Sequence, residues 1–391
     1  MERCHLTSIQ AYQDLLDRVF GAGAVIAEGV EDASNFITGA VRHCATNGRY
    51  RFFVEQLEQR LHRLNQLFRT DPSRNEVLGK IARLSLERNF AGTLAELAAY
   101  DFFGCLTQIE AERTVPRERT VASLVPDRHA SSFDGELLDF RRLLFDVKIF
   151  GAVLGDVLIN IKRRAMPLAD VSRIEVDYPY DHPYDSVADR FNEIVAGLRA
   201  AASAGFSTYR HPDIQQLLFR LIPDPPPRIT FTEHSFRPDR LLNELRYFVL
   251  NHFDQVLLDE PNLLVYVVHP WFNFVQTDFS GQAEFYREYC RRVFVELVND
   301  QTPLTTAIPD RAAGVAIPVA DIAKRFGAVM FLEDRTVEPP DDFDPRRPID
   351  GLRGRLFVNS NANTANLETP VWRDLLNKAT ERGVRLEITT F

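Results

Sequence analysis

The sequence predicts a mixed α/β (α+β) protein: a central mixed sheet flanked by helices, with a helical region at the N-terminus. Three observations carry this. In the first 90 residues apolar side chains recur at helical spacing. Residues 131–150 read as two alternating strands joined by a polar turn. Residues 263–269, Leu-Leu-Val-Tyr-Val-Val-His, are nearly continuously apolar, as a strand buried on both faces requires. Helix and strand patterns alternate from there to the C-terminus, the order expected of a sheet covered by helices.

The composition is ordinary for a globular chain, with 45% hydrophobic and 26% charged residues among 391. Length suggests two or three domains: a helical region over 1–90, a core with a helical insertion over 91–222, and an α/β remainder over 223–391 that continues or packs on the core sheet. The net charge of −9 argues against a general basic coat for nucleic acid. Most of the excess acid falls after residue 170, so a local basic groove before it is compatible. Cys4, Cys44, Cys105 and Cys290 are scattered and form no C-x-x-C pair. A cysteine-rich zinc site or disulfide framework is not expected, and a reducing, cytoplasmic setting is. No signal-peptide pattern and no apolar run of about 18 residues is present, so no membrane span is expected.

The elements follow in order. Gly21 to Gly23 breaks the first helical stretch and lacks the Gly-Lys-Ser/Thr ending of a phosphate loop. Phe53, Leu57, Leu61, Leu64 and Phe68 mark one face of a helix over 51–68, with Glu55, Glu58, Arg60 and Arg63 on the other. Asp71-Pro72 opens the next helix as N-cap and first residue. Val77, Ile81 and Leu84 give it an apolar face, while Arg74, Lys80, Arg83 and Arg88 belong to a solvated face or to phosphate contacts. Residues 93–103 form a helix ended by Gly104. Thr93 and Glu96 in it have capping-box spacing. A strand over 106–115 brings Glu110 and Glu112, which either face solvent or a site beyond the strand.

In residues 131–150, Phe145, Val147 and Ile149 alternate with Asp146 and Lys148, and Asp134 shares a face with Glu136. A hairpin centred near Phe140 sets Asp134 directly opposite Asp146. Facing carboxylates repel unless a cation or a shared proton offsets them.

These residues resemble the PD-(D/E)-x-K nuclease superfamily, the restriction-endonuclease-like fold. Its signature is an acid on one strand followed by Asp/Glu-x-Lys on the next. Here these are Asp134, in Phe-Asp-Gly rather than Pro-Asp, and Asp146-Val147-Lys148. The resemblance covers residues 90–160 and adds a glutamate on the preceding helix, here Glu96. It implies a Mg²⁺- or Mn²⁺-dependent nuclease, acting most simply on DNA in restriction, defence or repair. Asp134 and Asp146 would hold the metal, with Glu96 as either a further ligand or a helix cap, and Glu136 in reserve. Lys148 would orient the attacking water or stabilise the phosphorus. The alternatives are a catalytically inactive relative that binds nucleic acid, or a protein-interaction module. A homo-oligomer or a protein partner is compatible with all three.

After the hairpin, residues 156–164 read as extended and end in the basic triplet Lys162-Arg163-Arg164, a phosphate contact or ordinary surface. Residues 175–186 form a Pro/Tyr/Asp loop in which Asp177, Asp181, His182 and Asp185 make a weak metal pattern. A helix from Asp185 or Ser186, a second over 212–221, and a linker at 223–227 follow. Then come a strand over 229–231, a helix over 238–258, the strand 263–269, a helix over 284–298, strands over 328–332 and 356–359, a helix over 369–382 and a last strand over 384–389. His269, at a strand end, is either a functional group or a structural histidine.

Overall fold

The computed structural model describes residues 6–29, 35–86, 90–124, 131–140, 143–150, 158, 161–162, 164–166, 168, 171–177, 187, 190–223, 242–243, 245–260, 262–270, 282–309, 312, 315–347, 349–362 and 370–391. The chain divides into two units, one of residues 1–150, 249–271 and 279–391, the other of 151–248 and 272–278.

In the first unit the N-terminal region is helical: α1 (Ser8–Phe20), α2 (Phe36–Asn47), α3 (Arg51–Leu67), α4 (Arg74–Arg83) and α5 (Phe90–Gly104). Thr7 and Gln10 close a capping box on α1, Asn35 caps α2, and Gly21 ends α1. Asp71 accepts from the Ser73 amide at 2.7 Å, so Asp71-Pro72 makes a turn and α4 begins two residues later than its sequence suggests. Arg60 is not on an exposed face. It lies three residues after Leu57 and four before Leu64, on the buried stripe of α3, and is 2% exposed.

The sheet of this unit has seven strands: β1 (Ile109–Val115), β2 (Ser131–Leu137), β3 (Leu143–Ile149), and, counting past three strands of the second unit, β7 (Asn262–Val268), β8 (Ala328–Asp334), β9 (Leu352–Val358) and β10 (Arg385–Thr390). They stand in the order β1-β2-β3-β7-β8-β9-β10. The β1–β2, β2–β3 and β8–β9 pairs are antiparallel, and the others are parallel. Every residue of β7 and β8 is buried, as the apolar run of β7 requires. Helices flank the sheet. From α5, Phe103 and Tyr100 pack on Phe145 at ring distances of 4.9 and 6.2 Å. From the helix Gln282–Arg291, Tyr286 stacks on Phe331 at 4.1 Å and Tyr289 meets Phe150 at 5.3 Å. That helix continues as tighter and wider turns to Asn299. A helix over Pro370–Glu381 joins β9 to its parallel neighbour β10. Between Phe248 and Gln255 the described chain makes short 3₁₀ turns with a kink at His252, not the long helix expected over 238–258. Leu257 then bridges to Thr120.

The second unit carries a three-stranded antiparallel sheet, β4 (Val171–Asp177), β6 (Ile214–Pro223) and β5 (Thr208–His211) in that order, and α6 (Phe191–Ser203). Two expectations fail here. The helix expected over 212–221 is instead a turn at 212–213 followed by β6, because burial alternates: Leu217, Phe219 and Leu221 are buried, while Arg220 is exposed. Residues 156–164 are not extended where described. Leu158, Ile161, Lys162, Arg164 and Ala165 are helical, and Leu158, Ile161 and Ala165 sit at helical spacing in the core with Val187 and Leu198. Arg163, most of the Tyr/Asp loop with Asp181, His182 and Asp185, the strand at 229–231 and the linker after Pro223 lie outside the described residues. No helix of the described residues is long and apolar enough to cross a membrane.

Candidate metal centre

The centre is built where α5 packs on the first three strands. α5 is apolar on nearly every side, as a helix in the middle of a unit must be. Glu96 is therefore a charged residue on a buried helix. Thr93 lies inside α5, and Glu96 bonds Lys80 instead of the helix start, so the capping-box role does not hold. One turn later Tyr100 donates its hydroxyl to the Asp134 carbonyl at 2.8 Å, which pins α5 to β2 beside Glu96.

Strand register does the rest. The pairs Ala111↔Gly135 and Arg113↔Phe133 bracket Glu112 and Asp134, which therefore share a rung. The β2–β3 ladder ends at Gly135↔Phe145, so Asp134 and Asp146 are the next residues along, as a hairpin centred on Phe140 requires. There the Asp134 carboxylate takes over from the ladder, accepting the Val147 amide at 2.6 Å. Gly135 is needed for this approach. A Cβ on it would lie 2.4 Å from the Phe145 ring and 3.1 Å from the Glu110 carbonyl. Glu112 has φ of 57°, a conformation a non-glycine residue adopts only when its surroundings impose it. This strained residue is one of the acids of the centre.

Carboxylate oxygens of Glu96, Glu112 and Asp134 all lie within 4.8 Å of one another. The Lys80 ammonium bonds both Glu96 and Glu112. Asp146 is 4% exposed. Lys148 Nζ straddles it, 2.9 Å from each oxygen, with hydrogen-bond geometry only to Oδ1; Oδ2 is buried without a hydrogen bond. Gln255 donates to Asp146 Oδ1 at 3.1 Å and to the Ser132 carbonyl at 2.9 Å, fixing the carboxylate. Burial pushes the Asp146 carboxyl well above the usual carboxylate range; Lys148 opposes this and the charge of Asp134 adds to it. Burial likewise raises Glu96, with Asp134 adding to it and Lys80 opposing. For Lys80 and Lys148 burial alone would depress the ammonium, but the neighbouring carboxylates outweigh it and raise both.

Glu96, Asp134, Asp146 and Lys148 are thus brought together. Glu136 is not: it turns to Arg113, 2.8 Å away. Glu110 also pairs with Arg113. Lys80 is the residue sequence reasoning misplaced. It lies neither on a solvated face nor against phosphate but within the acidic group, 8% exposed. The signal was present, because Val77, Lys80, Ile81 and Leu84 fall on one helical stripe.

The donor set is the three hard carboxylates Glu96, Glu112 and Asp134; Asp146, with its buried oxygen that makes no hydrogen bond, adjoins this group through Asp134 but is not among the three. This donor set fits a hard divalent cation such as Mg²⁺ or Mn²⁺. No family model, curated protein or solved structure matches the chain.

His269 takes the structural role. It is fully buried at the end of β7, edge-on to Phe53 at 6.5 Å. Burial lowers its imidazole from 6.5 to about 4, with Asp334 opposing and Arg60 assisting. The folded chain therefore binds fewer protons here than the unfolded chain. The stability of this unit is expected to fall as pH drops from 6.5 towards 4, by about 3 kcal/mol from this residue. Urea unfolding across that window should show a flatter decline in His269→Gln; an unchanged slope would refute the assignment.

Proposed function

We propose that the chain is a metal-dependent nuclease with a restriction-endonuclease-like core, hydrolysing phosphodiester bonds of DNA. One observation carries this reading: Glu96 on the preceding helix and Asp134 on one strand share a carboxylate cluster with Glu112, and Asp146-x-Lys148 on the next strand adjoins it beside Asp134. That is the arrangement the resemblance calls for. Glu96, Glu112, Asp134 and Asp146 would hold the ion. A bound divalent ion lowers the pKa of a water and offsets charge on the scissile phosphate. The chain's own contribution is positional. Gln255 and the β3 backbone hold Asp146 and Asp134 in place. Lys148, anchored on Asp146 and partly exposed, offers donors to a water or a phosphoryl oxygen.

A second reading is favoured by Lys80. Its ammonium already bridges Glu96 and Glu112, which supports a core stabilised by an internal cation and without catalysis. The two readings part in one experiment. Purified protein is incubated with single- and double-stranded DNA in Mg²⁺, Mn²⁺ or EDTA, beside Lys148→Ala. The nuclease reading expects cutting that EDTA abolishes and that Lys148→Ala lowers by about 10²–10³-fold. Binding without cutting, unaltered by EDTA, supports the inactive scaffold. Neither binding nor cutting sinks both nucleic-acid readings.

A further inference from the structure

At the other side of the same sheet, three strands beyond β3 and so roughly 14 Å away at the usual strand spacing, a cleft of about 470 Å³ opens along β9 and β10. Four arginines line it, Arg347, Arg353, Arg355 and Arg385, with Glu387 as the one carboxylate among the lining residues. Four guanidinium groups on one cleft stand out in a chain of net charge −9, even though acids pair with them.

The sheet register places these arginines. β9 and β10 pair Arg353↔Arg385 and Arg355↔Glu387. Like charges directly opposite each other repel, so the Arg353–Arg385 pair needs an anion. Asp342 bridges both, and their pull lowers its carboxyl to about 2. Other acids brace the guanidinium groups from behind. Asp350, wholly buried, takes Arg385 Nε at 2.7 Å and Nη2 at 3.2 Å. Glu333, also wholly buried, takes Arg355 Nε at 3.2 Å. Neither Asp350 nor Glu333 lines the cleft.

The bracing leaves donors unused among the described residues. Arg347 holds its ion pairs to Asp344 and Asp350 loosely, at 3.9 and 3.8 Å, and its guanidinium makes no hydrogen bond. Arg353 bonds through Nη2 alone, and its Nε has no partner. Arg355 uses Nε and Nη1 but not Nη2. Two braced guanidinium groups, Arg353 and Arg355, beside the loosely held Arg347 on one cleft match an oxyanion with three or more acceptor oxygens. The volume exceeds what a lone anion needs and is within the range of small-ligand sites.

We propose that this cleft binds a phosphoryl group, carried either by a free nucleotide or by a nucleic-acid backbone. The proposal does not rest on the nuclease reading. Calorimetric titration of the full chain in EDTA, at constant ionic strength balanced with chloride, tests it with inorganic phosphate, a 5′-mononucleotide and short single-stranded DNA. Arg347→Gln is the informative variant, because its ion pairs are loose and its loss should leave the fold intact. Saturable binding of a phosphorylated probe, weakened about tenfold in Arg347→Gln and partly recovered in Arg347→Lys, is the expected result. A mononucleotide that binds as tightly as the DNA assigns the free nucleotide as source; DNA binding without mononucleotide binding assigns the backbone. No saturable binding by any of the probes, or equal binding by wild type and Arg347→Gln, overturns the proposal.

Discussion

Under the nuclease proposal, Asp146→Asn is expected to abolish phosphodiester cleavage while leaving the protein as stable as before, or more so. The two halves of this expectation come from the same geometry. Asp146 is almost wholly buried, and one of its oxygens makes no hydrogen bond. Such a group raises the energy of the folded chain, and burial holds its carboxyl well above the usual range. An amide keeps the acceptor that Gln255 and Lys148 use and removes the charge that crowds Asp134. A residue retained at a cost to stability is retained for another reason. If that reason is to hold a divalent ion, its loss removes several kcal/mol of transition-state stabilisation, on the order of 10³-fold in rate. Cleavage assays and thermal unfolding of the same preparation check both halves. Full activity in Asp146→Asn would sink the assignment, and lost activity with a much lower unfolding temperature would make Asp146 a structural residue.

The centre was legible in the sequence to the extent that it depends on period two and on one turn. The hairpin centred on Phe140 fixes which side chains meet, so Asp134 and Asp146 could be paired on paper, and the structure keeps that register. What escaped are charges on apolar stripes. Lys80 stands between Val77 and Leu84, and Arg60 between Leu57 and Leu64. Each was assigned to the polar side of its helix because charge usually means solvent. Periodicity overrides that habit when a buried partner waits across the interface, and the partner is invisible in a single helix. Glu96 had two readings in the sequence, ligand or cap, because Thr93-x-x-Glu96 has the spacing of a cap that the earlier start of α5 makes impossible. In the second unit Leu217-Leu218 blurred the alternation of β6, while in 156–164 Val157, Ile159 and Ile161 alternate with mostly polar residues, so period two hid the helical spacing of Leu158, Ile161 and Ala165. The arginine cleft had no signal of its own. Its members come from β9, β10 and the 342–350 segment, and only tertiary packing assembles them.

Arg60→Met is expected to cost about 3–5 kcal/mol of stability. Arg60 joins α3 to β8 and α5 through two buried acids. Its Nη2 bonds Asp334 at 2.9 Å, and its Nε lies 3.5 Å from Asp101. Asp101 has a second partner, Arg63, which grips both its oxygens at 2.7 Å. Among the described residues Asp334 keeps the Thr336 hydroxyl at 2.6 Å, a weaker amide contact and the nearby His269 imidazole, which is neutral at pH 7. Its carboxyl lies below the usual range although burial pushes it up, because Arg60 is the largest opposing influence. Methionine fills a similar volume and strands that carboxylate without a countercharge. Trp372 is buried in the same unit, so urea unfolding followed by tryptophan fluorescence reports on it. The sign with pH is fixed as well. In wild type Asp334 contributes stability above its unfolded pKa that is lost as pH falls through the lower folded value. In Arg60→Met only His269 and the Thr336 hydroxyl still oppose burial, the folded carboxyl moves up, and the deficit against wild type shrinks as pH falls. Arg60→Met combined with Asp334→Asn should recover most of the loss at neutral pH, since no charge is then left buried alone. A double variant no more stable than Arg60→Met would place the cost in packing instead of in the stranded charge.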